Sequence, residues 1–216
     1  MTGADPAGAG STGPSRSVEI ELKFDVDDGT PVPDWSAVPG VASTSSGERR
    51  DLDAAYFDDE HLSLARSGFA LRRRTGGPDA GWHIKGPRRQ DGGRVELQWP
   101  LGEAGVVPDA VRAELATVTD APFRPLARIQ NTRTVYFLLD ASAQVIAEFA
   151  DDHVRTRDER TGVERSWHEW EIELGPAAPA DSAGRAAFFA AVEQAATAAG
   201  ARPAASDSKL ARALGH

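Results

Sequence analysis

A seven-residue segment near the amino terminus, VEIELKF at residues 18–24, alternates strictly between apolar and charged side chains. Because successive side chains of a β-strand point to opposite faces, this alternation predicts a strand with one apolar face and one charged face. The charged face carries the carboxylates of Glu19 and Glu21 and the ammonium group of Lys23. Such a face suits a site for metal and phosphate, whereas a solvated edge strand explains the segment equally well when it is taken alone.

The chain as a whole has the composition of a single globular domain. It contains 216 residues, of which 40% are hydrophobic and 26% are charged, and this is ample for one core. No stretch approaches the roughly 20 apolar residues of a membrane helix, so we expect no membrane association. Residues 1–17 are rich in Gly, Ala, Pro, Ser and Thr and lack the apolar core of a signal peptide. They predict a disordered tail, followed by one domain over residues 18–216.

Charge and cysteine content narrow the classes of function. The absence of cysteine excludes disulfides, cysteine-ligated zinc and thiol nucleophiles, and it fits a reducing compartment, so we expect a cytoplasmic location. The formal net charge of −9 argues against direct nucleic-acid binding through bulk attraction to phosphates. Basic residues nevertheless cluster between Arg66 and Arg94, and acidic residues gather around Asp151 and at 169–173. This separation suits a site that binds a polyanion through cations and a divalent metal through carboxylates.

Alternation and turn residues predict a chain dominated by strands. The predicted strands cover residues 18–24, 49–58, 69–75, 81–87, 94–101, 133–140, 144–154 and 167–174. The predicted helices lie at 60–68, at 108–118, from a cap at Ser182 to Gly200, and at 206–214 with a cap at Ser206 or Asp207.

Several of these strands repeat the pattern of the first, with like charges at every second residue. Arg72 and Arg74 share one face of their strand, and Glu169, Glu171 and Glu173 share one face of the last strand. In a closed antiparallel barrel such polar faces can point inward and line a tunnel, while helices cover the outside. Like charges at this density repel each other unless a ligand and metal ions neutralise them.

The order of these motifs resembles the CYTH superfamily, the triphosphate tunnel metalloenzymes. The E-x-E-x-K strand with Glu19, Glu21 and Lys23 is similar to the motif that defines the family. Other segments resemble the family in the same order: YFD at 56–58, LARSGFALRRR at 64–74, IKGP at 84–87, RVE at 94–96, RTVYFLLD at 133–140, AEFADD at 147–152, EWEIEL at 169–174 and SKLARAL at 208–214. The resemblance implies an α+β fold, in which an eight-stranded antiparallel β-barrel forms a tunnel with a polar interior, flanked by helices.

The resemblance also implies that the tunnel binds a triphosphate together with Mg²⁺ or Mn²⁺. The implied catalytic residues are Glu19, Glu21, Lys23 and Lys85. The implied substrate contacts are Lys23, Arg72, Arg74, Lys85, Arg133 and Lys209, and Arg128 joins them because it sits just before the Arg133 strand. The implied metal ligands are Glu19, Glu21, Glu169 and Glu171, surrounded by Glu96, Glu148, Asp152 and Glu173.

Two assignments stay open at this level. The acidic pair of the family's last strand can align with either end of the glutamate row at 169–173. Asp151 and Asp152 also compete as ligands, and a two-residue register with Glu148 favours Asp152.

The family includes inorganic, thiamine and RNA triphosphatases and class IV adenylate cyclases. The resemblance implies a divalent-metal-dependent triphosphatase, with hydrolysis of inorganic triphosphate to diphosphate and phosphate as the favoured reaction. One alternative is a class IV-type adenylate cyclase, although no base-recognition motif stands out. The other is a non-catalytic module that binds polyphosphate or a nucleotide, although such a module has no use for so many carboxylates.

The segments at 135–140, 147–154 and 208–215 resemble most the form of the family in which the tunnel precedes a helical, histidine-rich CHAD domain. The resemblance therefore leaves two expectations for this chain. It is either a stand-alone member or the amino-terminal portion of a longer protein with a CHAD domain as its partner.

Overall fold

The computed structural model describes residues 13–216, and its main feature is one antiparallel sheet. Its strands are β1 (Ser15–Glu19), β2 (Glu21–Val26), β3 (Ser43–Thr44), β4 (Glu48–Asp58), β5 (Ala70–Thr75), β6 (Gly81–Arg88), β7 (Arg94–Trp99), β8 (Arg124–Leu139), β9 (Val145–Asp158), β10 (Glu164–Leu174) and β11 (Arg202–Pro203). Its helices are a 3-10 helix (Trp35–Ala37), α1 (Ser63–Arg66), α2 (Asp109–Leu115), α3 (Ser182–Ala199) and α4 (Lys209–Leu214). The predicted tail lies partly outside the described residues, and its last three residues, 15–17, belong to β1.

All eleven strands of the described residues belong to this sheet. Neighbouring strands follow the order β1-β7-β6-β5-β4-β8-β9-β10-β2-β11, and β3 pairs with β8. The predicted α+β class with a dominant antiparallel sheet is confirmed. The count exceeds the predicted eight because the first predicted strand is divided at Ile20 and because two-residue strands form at Ser43–Thr44 and Arg202–Pro203.

Over residues 13–216 the hydrogen-bonded sheet does not close, so the predicted closed barrel is wrong in that respect. β1 pairs with β7 at one end of the strand order, while β2 pairs with β10 near the other end. Only Ile20 separates these two strands, and its carbonyl accepts a hydrogen bond from the Leu174 N–H at 3.0 Å. The backbone changes its hydrogen-bonding partner at this residue, because β1 pairs with β7 and β2 pairs with β10. The covalent chain between β1 and β2 therefore links the two sides of the sheet.

Two helices begin at residues other than the predicted caps. The N-cap of α3 is Asp181, whose carboxylate accepts a hydrogen bond from the Gly184 N–H at 2.8 Å. The N-cap of α4 is Ser208, whose hydroxyl accepts from the Ala211 N–H at 3.0 Å. In both cases the side chain that caps the helix is the one that reaches a free N–H of the first turn. Among the described residues, no helix is long and apolar enough to cross a membrane.

β8 is longer than the alternation predicts, since it begins at Arg124 and not at residue 133. Residues 124–132 include Pro125 and polar residues on both faces, so a two-residue hydrophobic pattern is absent there. β4 and β9 pair with this segment on its two sides. Backbone hydrogen bonds to two neighbours, and not the side-chain pattern, therefore set the length of the strand.

Helices cover the apolar outer faces of the sheet. α3 packs Phe188 and Val192 against a core that includes Phe149 and Trp170 of β9 and β10. α1 and α2 cover β5, β6 and β7 in a second cluster, in which Trp82 is fully buried. Burying one large apolar side chain contributes about 1.5–3 kcal/mol. Because this burial takes place on the outer faces, the charged faces of the strands are turned towards one another.

Candidate functional site

The charged faces enclose a cavity of about 590 Å³. Eight cationic and eight acidic residues line it among the described residues, so its wall is balanced although the chain carries −9. The cationic residues are Lys23, Arg50, Arg72, Arg74, Lys85, Arg94, Arg133 and Lys209. The acidic residues are Glu19, Glu21, Asp79, Glu96, Glu148, Glu171, Glu173 and Asp207. All three lysines of the chain are in this set, so every lysine side chain lines the cavity.

The register of four neighbouring strands explains why these charges meet. Lys23 on β2 lies opposite Glu171 on β10, and Glu169 on β10 lies opposite Asp152 on β9. On its other side, Asp152 lies opposite Arg133 on β8. Directly opposed residues share a face of the sheet, so the two-residue period of each strand brings every second charge into one layer.

The centre of this layer is a group of buried acids, Asp152, Glu169 and Glu171, here named the carboxylate triad. One oxygen from each residue lies within 4.8 Å of the others. Lys209 Nζ lies 2.9, 2.5 and 2.7 Å from the three carboxylates in that order. Arg133 donates to Asp152 at 2.7 and 2.8 Å and to Glu171 at 2.5 Å. Burial alone would raise the pKa of Asp152 and Glu171, but the charges of Arg133 and Lys209 lower both pKa values.

The first-strand motif lies beside the carboxylate triad and is paired in the same way. Lys23 Nζ lies 3.0 Å from Glu21 and also contacts Glu171. Lys85 Nζ on β6 lies 2.5 Å from Glu19. Burial raises the pKa of Glu19, whereas the charge of Lys23 overcomes burial and lowers the pKa of Glu21. Each lysine that suits phosphate is thus neutralised here by a carboxylate that suits a metal.

Two arginines of β5 line the cavity on alternate residues, as the sequence pattern predicts. Arg72 donates to Glu96 at 3.1 Å, and His83 contacts the same carboxylate at 3.0 Å. Arg74 pairs with Asp79, but burial, followed by repulsion from Arg72, still lowers the pKa of Arg74 to about 9. The guanidinium stays charged at neutral pH, and this crowding of cations favours an anionic ligand.

Glu173 is a cavity carboxylate whose ionisation is disfavoured. Burial raises the pKa of Glu173 to about 8, and repulsion from Glu19 and Glu21 adds to the shift. Three carboxylates therefore converge on one part of the cavity with less cationic compensation than the carboxylate triad receives. A divalent cation relieves repulsion of this kind, so the residues present fit such an ion.

The raised pKa of Glu173 predicts a specific pH dependence of stability in the presence of chelator. Between the ordinary carboxyl pKa and pH 8 the folded protein binds more protons than the unfolded chain, so the free energy of unfolding falls as pH rises. The Glu173→Gln variant removes this term and should be more stable than the parent by roughly 2–4 kcal/mol at pH 9, and equally stable at pH 4. Urea unfolding at both pH values measures the difference.

The exposed Glu193 on α3 offers a control, and Glu193→Gln should show no such pH-dependent gain. A Glu173→Gln variant with the same stability increment at pH 4 and pH 9 would mean that Glu173 ionises normally.

Most residues expected at the site reach it. Those that line the cavity are Glu19, Glu21, Lys23, Arg72, Arg74, Lys85, Glu96, Arg133, Glu148, Glu171, Glu173 and Lys209. Asp152 and Glu169 are buried behind them and bonded to Lys209. Arg128 does not reach the cavity, contrary to the prediction, because its side chain is 54% exposed and pairs with Asp53 at 2.5 Å. It lies five residues from Arg133, and an odd separation along one strand puts two side chains on opposite faces.

Arg50 and Tyr56 also line the cavity, although neither stands out in the sequence. Arg50 lies 4.0 Å from Glu148 and is only 14% exposed. Between these two residues the inner face of β4 carries Leu52 and Ala54, so the alternation of like charges that marks the other strands is missing. Only the pairing of β4 with β5 and β8 reveals which face of this strand is inward.

The register also separates the two adjacent aspartates. Asp152 points to the inner face, where it is part of the carboxylate triad. Asp151 points to the outer face, where it accepts a hydrogen bond from Trp170 at 3.0 Å and contacts His168. Adjacent residues of a strand must diverge in this way. The glutamate row at 169–173 points inward as a whole, with its first two members in the carboxylate triad and its last member near Glu19 and Glu21.

A sequence model of the CYTH domain matches residues 17–194 of this chain. Two curated relatives, each named only as an uncharacterized protein, come from Mycobacterium tuberculosis strains CDC 1551 / Oshkosh and ATCC 25618 / H37Rv. Each is 38% identical to this chain over 217 residues, which cover 94% of this chain and 41% of the relative. The chain therefore spans about two fifths of the length of these relatives.

Solved structures share the fold at low sequence identity. A putative adenylate cyclase from Bacillus halodurans superposes with a TM-score of 0.60 at 16% identity, over 91% of this chain and 97% of that chain. A protein from Pyrococcus horikoshii OT3 superposes with a TM-score of 0.56 at 17% identity, over 91% and 98% of the two chains. A putative adenylyl cyclase from Hippeastrum, said to reveal a dominant triphosphatase activity, superposes with a TM-score of 0.54 at 17% identity, over 91% and 94%.

Proposed function

Because this chain belongs to the CYTH family, we propose that its cavity binds a triphosphate together with a divalent metal ion and hydrolyses a phosphoanhydride bond. Inorganic triphosphate is the substrate we favour, with diphosphate and phosphate as products. The observation that carries the proposal is the pairing of Lys23, Lys85, Arg133 and Lys209 with buried or half-buried carboxylates in and behind the wall of one cavity. A site for a polyanion alone needs the cations, and only a site that also takes a metal needs the carboxylates.

The pairs of opposite charge also hold the site ready for its ligands. Lys23 and Lys209 are 12% and 13% exposed, so their ammonium groups are fixed by their acidic partners and not by water. A triphosphate that enters the cavity offers its oxygens to these cations, which then exchange a carboxylate for a phosphate. The carboxylates that are released have the negative charge to hold a metal ion. Once these contacts have formed, the cations are in position before the reaction and stabilise developing charge without further reorganisation.

The chemistry divides between the metal and the residues of the chain. Glu19, Glu21 and Glu173 would hold Mg²⁺ or Mn²⁺, which when bound neutralises phosphate charge and acidifies a water molecule. Arg72 and Arg133 present planar guanidinium groups that stabilise charge on the transferred phosphoryl group. The low exposure of the cationic side chains keeps competing water away from these contacts.

One observation keeps adenylate cyclase as a second candidate. The cavity wall also includes the aromatic ring of Phe69 and the apolar side chains of Leu210 and Leu214. These could contact the base of a nucleoside triphosphate while the charged residues hold its phosphates. The similar structures are compatible with both reactions, since the Bacillus protein is a putative adenylate cyclase and the Hippeastrum protein is said to have a dominant triphosphatase activity.

A single screen tests the proposal. Purified protein is incubated with inorganic triphosphate, ATP, thiamine triphosphate or polyphosphate, each with Mg²⁺ or Mn²⁺, and phosphate, diphosphate and cyclic AMP are measured. We expect release of phosphate from inorganic triphosphate at the highest rate. Cyclic AMP from ATP would assign a cyclase instead, and tight binding of every ligand without product would assign a binding module.

Two arginine variants provide matched controls for the screen. Arg72→Ala should weaken triphosphate binding about 10- to 150-fold, because a hydrogen bond to a charged group is worth about 1.5–3 kcal/mol. Arg128→Ala removes the same side chain from the outer surface and should leave affinity unchanged. Equal affinities of the two variants by calorimetric titration would place the substrate outside this cavity.

A further inference from the structure

Two histidines and an aspartate meet on the outer side of the sheet, apart from the charged cavity. His153 on β9 and His168 on β10 are directly opposed residues, and their rings stack at 4.0 Å with an angle of 18°. Asp28 lies in the turn after β2, and its Oδ1 is 4.0 Å from His153 Nδ1 and 3.8 Å from His168 Nδ1. One ligand atom from each of the three residues lies within 4.8 Å of the others.

The surroundings of His168 give a second and independent indication of a ligand. The residue is only 7% exposed, and its buried Nδ1 atom has no hydrogen-bond partner among the described residues. Water therefore has little access to this unpaired nitrogen. Its Nε2 atom contacts Asp151 at 2.5 Å, and Asp151 also accepts a hydrogen bond from Trp170 at 3.0 Å. A carboxylate at one ring nitrogen holds the proton there and leaves the lone pair of the other nitrogen free. This arrangement is typical of histidines that bind metals through the second nitrogen.

Neighbouring charges are compatible with a cation at this position. Two arginines line the same surface hollow, but Arg202 is paired with Asp27 at 2.8 Å and Arg212 is paired with Asp25. A third arginine of the hollow, Arg155, is exposed, so water screens its charge. The carboxylates of Asp28 and Asp151 both lie close to His168, so negative charge is present beside the imidazole rings.

We propose that Asp28, His153 and His168 bind one divalent transition-metal ion, with Zn²⁺ as the best match. Two imidazole nitrogens and one carboxylate are a ligand set that zinc takes, whereas Mg²⁺ prefers oxygen ligands alone. Tetrahedral zinc with bonds of about 2.0–2.1 Å places its ligand atoms about 3.3 Å apart. The two distances from Asp28 Oδ1 to the histidine nitrogens need to close by about 0.5–0.7 Å, and the Asp28 side chain, which is 92% exposed, is free to move. A bound ion would fasten the turn after β2 to β9 and β10.

The site is tested by zinc binding with a readout that does not involve triphosphate. The metal-free 216-residue protein is titrated with Zn²⁺ by calorimetry in the presence of excess Mg²⁺, which occupies oxygen-rich sites. We expect one Zn²⁺ per chain, and His153→Ala should weaken binding by 10- to 100-fold or more, at least the loss caused when a ligand's supporting partner is removed. His153 is 55% exposed, so this variant should fold normally.

Matched variants separate this site from the charged cavity. His61→Ala removes an exposed histidine elsewhere, and Glu21→Gln alters the cavity, so both should bind Zn²⁺ like the parent protein. His153→Ala should keep its triphosphatase activity, so a failure of the proposed function and a failure of this site are distinguishable. Zinc binding that is lost in Glu21→Gln but unchanged in His153→Ala would overturn the proposal.

Nitrogen-15 spectra of the imidazole groups give a second measurement. With saturating Zn²⁺, the Nδ1 signals of His153 and His168 should move to metal-bound values while the Nε2 of His168 keeps its proton. Signals of both rings that stay unchanged at saturating Zn²⁺ would also overturn the proposal.

Discussion

The Glu21→Gln variant is expected to lose triphosphate hydrolysis by about a thousandfold or more while its fold survives. Glu21 lies in the part of the cavity where Glu19 and Glu173 also converge, so the variant removes charge that would hold the metal. Metal stabilisation of phosphoryl charge is worth several kcal/mol, and about 4 kcal/mol corresponds to a factor of a thousand. Phosphate release at increasing Mg²⁺ concentration measures the loss.

The fold should survive because the glutamine side chain has the same shape and because Lys23, the partner of Glu21, keeps its contact with Glu171. Glu164→Gln on β10 is a suitable control, since Glu164 is 70% exposed, pairs with the exposed Arg157 and should be dispensable for activity. Full activity of the parent protein in excess chelator, or parental activity of Glu21→Gln, would contradict a metal-dependent reaction in this cavity.

Loss of the Lys209 charge should have the largest effect on stability. The Lys209 side chain is 13% exposed, and its ammonium group contacts all three members of the carboxylate triad. Removing one partner of a buried ion pair leaves uncompensated charge and costs about 3–5 kcal/mol. Lys209→Met should lower the free energy of unfolding by that amount in urea at pH 7, although methionine keeps the apolar packing of α4.

A double variant shows whether charge is the cause. Adding Asp152→Asn to Lys209→Met removes one of the stranded carboxylates and should recover part of the lost stability. Arg66→Met, which removes an exposed cation from α1, should leave stability unchanged. If Lys209→Met cost less than about 1 kcal/mol, water would have to reach the carboxylate triad when the helix is in place.

Faces of single strands follow from the sequence because they depend on local geometry alone. The two-residue period places Glu19, Glu21 and Lys23 together, and it separates Asp152 from Asp151. From the sequence, the same rule does not cover Arg128, because the predicted strand begins at residue 133. In the structure β8 includes both residues, and their odd separation places Arg128 on the opposite face from Arg133. The strand is extended there by pairing on both sides, which is a property of the sheet and not of the segment.

Arg50 is a cavity residue that the sequence pattern does not predict. The inner face of its strand is otherwise apolar, so no pattern of charges marks it, and only the position of β4 between β5 and β8 directs Arg50 into the cavity. The divided first strand is equally inaccessible to a local pattern. The alternation over residues 18–24 predicts one strand, yet the backbone pairs with β7 before Ile20 and with β10 after it.

Charge type and strand face were therefore accessible from the amino-acid sequence, because each is set within a few residues. The partner of each charge was decided by the tertiary structure. Lys209 reaches Asp152 and Glu171 from a helix that is distant in the chain, and Asp28 meets His153 and His168 from a turn more than a hundred residues before them. Such pairings depend on how separate strands and helices are arranged in space, and no local alternation of side chains contains that information.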